Sequence, residues 1–451
     1  MEGLRNTSAI VVGERGTGKT ALSLDVSKEL ASEEALLVRI EEFSALGRDF
    51  AAEDLYHFLT QRIAAEYFLK AADHPGWLWR LNKDERVDLS LFLHRFLGAS
   101  STRQLREKIY KIQNKPLKRW AINTYNFTRV VLNYGLKAAT KVASDALTKH
   151  FSSLPTIDSG DTEYFQRIEA EVDDSFTVEQ RKYYYLERIC TLALKSGISK
   201  IYVTIDKLDE DPRFENDAED IGEFLVKIAS DNKILTAGFF HLLLFSWSTP
   251  FNLIKSNVRT QKITFQTLDW EIDDLRRVAG KRLASYSERK LTSIKDIFQD
   301  GCDAEIEQVL QMCNRNPRDL WHILDQCLKA QYKIDSKQKI GAEAIRGGIE
   351  AFVQGFNYYE YYPRKSNARR NSMDVYAYIK HLLKLDGERF TKDKLNTLAG
   401  TGSSTSNYVV AMENMGLIRR ISEKAQGGAV VYEIRDPKVC YAMRHGMTIG
   451  D

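Results

Sequence analysis

No stretch of this chain approaches the roughly 18 to 20 consecutive apolar residues of a membrane-spanning helix. The nearest, Phe239 to Trp247, has the length of a buried strand. The first apolar run, Ala9 to Val12, leads straight into a glycine loop and offers no secretory segment, so a cytoplasmic protein without membrane contact is expected. Cysteine is scarce: the 5 copies (Cys190, Cys302, Cys313, Cys327 and Cys440) include no C-x-x-C pair and no nearby histidine at ligand spacing. That pattern favours reduced thiols over a disulfide frame or a zinc site. The 8 histidines form no H-E-x-x-H, and no G-x-S-x-G elbow occurs, so hydrolase chemistry of those kinds has no support. Internal repeats and low-complexity tracts are also missing.

What remains is the balance of a globular protein, 43% hydrophobic and 28% charged over 451 residues. At about 150 residues per domain, that length suggests roughly two to three domains. The net charge of +3 hides an asymmetry. From Arg103 to His150 there are eleven Lys or Arg against two acids, Glu107 and Asp145, a local excess of +9, so the rest of the chain sums to −6. Acidic density gathers at Asp158 to Asp174 and at Asp206 to Glu223.

The strongest signal is Gly13-Glu14-Arg15-Gly16-Thr17-Gly18-Lys19-Thr20, a complete G-x-x-x-x-G-K-T loop between the apolar run Ala9 to Val12 and a helix opening at Ala21-Leu22. Gly13, Gly16 and Gly18 clear the Cβ atoms from a backbone whose N–H groups, through Thr17 to Ala21, can wrap a polyphosphate at a helix N-terminus. Lys19 would then bridge the terminal phosphates and Thr20 would hold Mg²⁺ through its hydroxyl. A phosphate loop also needs an acid for the metal, and the β-forming run Ile201 to Ile205 delivers Asp206 at its carboxyl end, where parallel sheets present ligands.

Along the chain, strands are expected at Ala35 to Ile40, Lys200 to Ile205, Phe240 to Phe245 and Lys262 to Phe265, separated by helices at Thr20 to Leu30, Asp54 to Leu69 and Ala218 to Ser230. The fold class expected is α/β with a mostly parallel sheet. Residues 1–268 form its core, and 73–195 is read as a helical insertion. Residues 269–362 read as helices only, about 273–288, 303–312 and a third whose N-cap is Asn316 and whose first residue is Pro317. After the basic linker Arg364 to Arg370, residues 371–451 carry three helices, Met373 to Leu385, Thr391 to Ala399 and Ser403 to Met415, then strands Leu417 to Ile421 and Ala429 to Ile434, a winged-helix arrangement.

Ile205-Asp206-Lys207-Leu208-Asp209-Glu210 resembles the second motif, hhhhD-x-x-D-E, of the P-loop ATPases called STAND and AAA+, including the KAP and origin-recognition types. The resemblance extends over most of the chain apart from the insertion. It implies ATP as substrate, although the loop itself reads phosphates and not the purine, and Asp206 as the Mg²⁺ acid. It further implies a water-orienting acid at Asp209 or Glu210, since Lys207 stands where these ATPases commonly carry the second acid. That departure suggests slow hydrolysis suited to a switch. By the same likeness Ser246, with Ser248 nearby, would read the γ-phosphate, Arg259 would be a conformational arginine, and Arg318 would be the second sensor, contributed by a helical lid. Oligomers and protein partners, and signalling or defence roles in prokaryotes, are also implied.

Nucleic acid is a further expected partner. The Arg103 to His150 segment interleaves its cations with Tyr110, Trp120, Tyr125, Phe127 and Tyr134. The winged helix is the second candidate surface. Its third helix, however, has no Lys or Arg and contains Glu413, so base readout there looks poor, and a role as protein contact or latch fits equally. The basic segment could instead pair with Asp158 to Asp174.

Overall fold

The computed structural model describes residues 6–31, 34–92, 176–363 and 374–450. The basic segment Arg103 to His150 and most of the expected insertion lie outside the described residues. Five strands, β1 (Ala9–Gly13), β2 (Ala35–Ile40), β3 (Lys200–Ile205), β4 (His241–Trp247) and β5 (Thr264–Thr267), form one sheet in the order β2-β3-β4-β1-β5. Every pairing is parallel. The fold class is therefore the α/β class expected from the alternation of strands and helices.

Period-2 alternation puts both faces of the sheet to use. Ile10, Val12, Val203, Ile205, Leu242 and Leu244 are buried on one face, in a core shared with α2 (Ala52–Asp73), α3 (Lys83–Phe92), α4 (Val178–Ser196), α5 (Ala218–Ala229) and α6 (Ser248–Ile254). Ala9, Val11, Tyr202, Leu243 and Phe245 turn to the other face, where Val26 and Leu30 of α1 (Lys19–Leu30) cover them. Full burial of each large aliphatic or aromatic side chain contributes about 1.5–3 kcal/mol. The broad first face thus supplies most of the core's stabilisation.

A local signal sets the start of α5. Asp217 caps α5 by accepting from the N–H groups of Glu219 at 2.8 Å and Asp220 at 3.3 Å. Ile221, Phe224, Leu225 and Ile228 then recur at helical spacing on its buried side. Two strands differ from expectation. β4 runs on to Trp247 because Ser246 and Trp247 pair with Val12 and Gly13, two residues past the expected end at Phe245. β5 lies two residues later than the 262–265 expected, with its register set by Ala9 opposite Thr264 on β1.

Beyond the sheet come α7 (Ile272–Tyr286), α8 (Asp303–Met312), α9 (Pro317–Ile334) and α10 (Ala342–Gln354). They are followed by α11 (Val375–Leu382), β6 (Arg389–Phe390), α12 (Lys392–Ala399), α13 (Thr405–Asn414), β7 (Ile418–Lys424), β8 (Val430–Ile434) and α14 (Pro437–Arg444). β6, β8 and β7 make a small antiparallel sheet in that order. α10, β6 and α14 have no counterpart among the expected elements. A single buried cluster runs from Leu275 to Ile449, so these later elements share one core separate from that of the sheet. Among the described residues no helix is long and apolar enough to cross a membrane.

Candidate functional site

The loop between β1 and α1 holds the conformation its glycines permit. Gly16 sits at φ +83° and Gly18 at φ +91°, both in the left-handed region. A Cβ on Gly13 would come 2.7 Å from Thr17 Oγ1. Thr17 turns inward, its hydroxyl donating to the Glu14 carbonyl at 2.7 Å, while its own carbonyl accepts from Trp270 Nε1 at 2.8 Å. Lys19 is only 8% exposed, and its ammonium donates to the carbonyls of Gly13 and Glu14, both at 3.0 Å. Burial lowers this ammonium from its ordinary value, against the opposing pull of Asp209, Asp206 and Glu14.

The acid loop after β3 faces this cradle. Asp206 is 3% exposed, and its Oδ1 accepts from the Lys207 N–H at 2.9 Å. Burial pushes this carboxyl above its ordinary range, against the opposing influence of the Lys207 N–H, the Thr20 hydroxyl and the Lys19 ammonium. Oδ2 of Asp206 is buried without a hydrogen-bond partner. An orphaned carboxylate oxygen beside a threonine hydroxyl suits a hard cation that takes oxygen donors. Among the described residues no group of three or more His, Cys, Asp or Glu could hold a metal by itself. Thr20 and Asp206 are the residues that would hold a magnesium ion there.

Lys207 takes φ +62° and directs its ammonium to Glu41 Oε2 at 3.1 Å. Glu41 is also paired with Arg39, and these partners outweigh burial to hold its carboxyl below the usual range. The following turn, Leu208–Glu210, contains both candidate acids. Asp209 accepts from Arg15, through Oδ2 at 2.8 Å and through its carbonyl at 2.7 Å. Glu210 is exposed, lines the cleft and forms no ion pair among the described residues.

A cleft of about 780 Å³ contains these groups. One wall is Gly16, Gly18, Lys19, Thr20, Asp206 and Glu210; across it stand Arg318, Asn357, Tyr359 and Glu360 from the helical region. Arg318 is exposed, at the second position of α9, and makes no ion pair among the described residues. No family model and no curated protein matches the chain. Among solved structures it is similar to that of the Aeropyrum pernix ORC2 protein in ADPNP–ADP complexes, with a TM-score of 0.40 and 10% identity over 99% of this chain and 90% of that one. The crystal structure of CDC6P from Pyrobaculum aerophilum gives a TM-score of 0.31 and 10% identity over 99% of this chain and 91% of that one.

Five residues expected at the site do not line the cleft. Ser246 is buried opposite Val12 and donates to the Trp247 carbonyl at 3.2 Å, and it is not part of the cleft wall. Arg259 is exposed ahead of the 260–262 turn and does not reach the wall. Gly13 at the end of β1, Thr17 in the loop and Ala21 in the first turn of α1 also contribute no lining. For Ser246 the cause is strand register, and for Thr17 the inward hydroxyl. Asn316 and Arg15, in contrast, contribute more than sequence reasoning assigned them. Asn316 caps α9 by accepting from the Arg318 N–H at 2.9 Å, and its amide also donates to the Arg15 carbonyl at 2.7 Å, fastening the helical region to the phosphate loop. The N-cap signal at Asn316-Pro317 located the residue, but nothing local encodes its contact with a loop 301 positions away.

Proposed function

We propose that this protein binds a magnesium–nucleoside triphosphate, taken as ATP, and hydrolyses it slowly as a nucleotide-dependent switch. The observation that carries the reading is the buried Asp206 carboxyl, with one oxygen unpartnered, in the cleft that Lys19 and Thr20 also line. Lys19 would exchange its loop carbonyls for phosphate oxygens, and the backbone N–H groups at the start of α1 would cradle the chain of phosphates. Magnesium, held by Thr20 and Asp206, supplies positive charge against the terminal phosphates. Glu210 would orient the attacking water, because Asp209 is committed to Arg15. With Lys207 in place of an adjacent acid and Glu210 on an exposed turn, positioning is imperfect, which argues for slow turnover.

In this reading residues 1–268 are the ATPase core, 269–362 a lid and 371–451 a winged-helix module, and Arg318 reports the γ-phosphate to the lid. Output would pass to a protein partner or another copy of the chain. A DNA-dependent ATPase of the origin-recognition sort is the second reading, favoured by the basic, aromatic-rich sequence from Arg103 to His150. The α13 surface gives it little help: its exposed Ser406, Asn407, Val410 and Asn414 carry no cation, while Arg419 pairs with Glu433 at 2.5 Å and Arg389 with Glu423 at 2.9 Å.

Calorimetry and phosphate release on the full chain test the proposal. Mg-ATP uptake is expected, lost in Lys19→Ala, and Glu210→Gln should keep uptake while turnover falls at least about 100-fold. Absence of Mg-ATP uptake by the unaltered protein would remove the whole reading. Stimulation of turnover by duplex or single-stranded DNA, steeply salt-dependent, would select the origin-recognition reading over the switch.

A further inference from the structure

Arg15 occupies a variable position of the phosphate-loop motif, yet it is one of the most heavily engaged side chains at the site. Its Nε donates to Asp209 Oδ2 at 2.8 Å and its Nη2 to the Asp209 carbonyl at 2.7 Å, with both side chains only 12% exposed. The guanidinium lies 4.0 Å from the centre of the Trp247 ring, at the end of β4. Trp247 is itself fixed, paired with Gly13 in the sheet and donating from Nε1 to Glu14 Oε2 at 3.2 Å. The Arg15 carbonyl accepts from Asn316. One residue therefore ties together the phosphate loop, the acid turn after β3, the end of β4 and the start of α9.

We infer that Arg15 is a positioning residue, a brace that fixes the Leu208–Glu210 turn against the phosphate loop so that Asp209, which lines the cleft, is held by Arg15 and Glu210 is the acid left for a bound triphosphate. The inference rests on the reading of the cleft as a Mg-ATP site. A planar fork suits this task, because two donors on one rigid group set the turn's distance and its orientation at once. Stacking on an indole removes a further degree of freedom and adds cation–π attraction. The turn gains from such a brace: it is entered through Lys207 at φ +62°, a conformation that a non-glycine residue adopts at a cost, and of its three residues only Leu208 is anchored in the core.

The test uses the full chain in four forms besides the unaltered one: Arg15→Gln, Arg15→Lys, Asp209→Ala and the double variant Arg15→Gln/Asp209→Ala. Amide hydrogen exchange over residues 207–211, Mg-ATP affinity and single-turnover phosphate release are measured for each. Arg15→Gln and Asp209→Ala should each speed exchange in the turn and slow phosphate release about 10- to 100-fold, with affinity held within about 3-fold. The double variant should be no slower than the worse single one, since both remove the same contact. Arg15→Lys should fail to restore the rate, because an ammonium cannot make the two-pronged contact. Unchanged exchange in Arg15→Gln would overturn the brace, as would multiplying rate losses in the double variant or inactivity of Asp209→Ala as complete as that of Glu210→Gln. If the unaltered protein takes up no Mg-ATP, the functional reading fails, while the exchange comparison still accepts or rejects the brace.

Discussion

A Cβ on Gly16 would sit 2.5 Å from Asn316 Oδ1, and the backbone there is at φ +83°, whereas at Gly18 the nearest atom to a Cβ is 4.0 Å away at φ +91°. The two positions thus share a backbone cost of about 1–2 kcal/mol for alanine, but only Gly16 adds a collision with the helical region. Gly16→Ala should destabilise the chain more than Gly18→Ala in urea titration and should also weaken Mg-ATP uptake. Equal losses would mean the Asn316 contact carries no weight. A second residue-level test concerns pH. Arg419 donates to Glu433 and, against burial, holds its carboxyl below the usual glutamate value. A depressed folded value means stabilisation that is present above the unfolded value and lost as pH falls through the folded one. Glu433→Gln should therefore lower stability by about 0.5–1 kcal/mol at neutral pH, with the gap closing on acidification below the ordinary glutamate range. Lys19, Thr20 and Asp206 were legible in the sequence because loop and strand-end positions encode them. Arg15 was not, because its partners lie on three other elements and no spacing announces them.

Between elements, the most unusual contact joins α9 to α14. Lys438 is completely buried, with Nζ 3.3 Å from Asp319 Oδ2 and 3.4 Å from Asp436 Oδ1, and 4.1 Å from the centre of the Phe356 ring. Tyr362 donates to Asp436 at 2.9 Å. Burial alone would lower the Lys438 ammonium, but the two carboxylates together raise it; one lysine cannot serve both fully, and burial raises Asp319. Removing the cation leaves two buried acids without compensation, so Lys438→Met should cost about 3–5 kcal/mol by urea unfolding. Replacing Asp319, Asp436 and Lys438 together by apolar residues should recover most of that loss. α14 itself could have been read from the sequence, since Asp436-Pro437 repeats the cap-and-proline start seen at Asn316-Pro317, and Asp436 accepts from the Lys438 N–H at 2.9 Å. α10 was harder. It contains Gly347-Gly348, and glycine argues against a helix; yet a Cβ on Gly348 would lie 2.6 Å from Cys327 Cα, so the residue is there to let α10 approach α9 closely.

At the scale of the whole molecule, the phosphate loop is where the sheet domain and the later helices touch. Asn316 reaches the Arg15 carbonyl and Trp270 the Thr17 carbonyl. On the far side of the cleft, Asn216 donates to the carbonyls of Tyr359 at 2.7 Å and Tyr362 at 3.2 Å. Tyr362 in turn meets the buried Asp319–Lys438–Asp436 cluster, so a chain of direct contacts runs from the cleft rim to α14. Such a chain can carry nucleotide state outward only if some group discriminates triphosphate from diphosphate. In the proposed reading that group is Arg318, exposed on the cleft wall without a competing ion pair among the described residues. If its guanidinium engages the γ-phosphate, Arg318→Ala should weaken Mg-ATP binding about 10-fold, equivalent to roughly 1.4 kcal/mol, and leave Mg-ADP within about 2-fold. Hydrogen exchange in α9 and α14 should then differ between the ATP and ADP states of the unaltered protein and not between those of the variant. Equal weakening for both nucleotides would make Arg318 a general phosphate contact, and the path to α14 would lose its input.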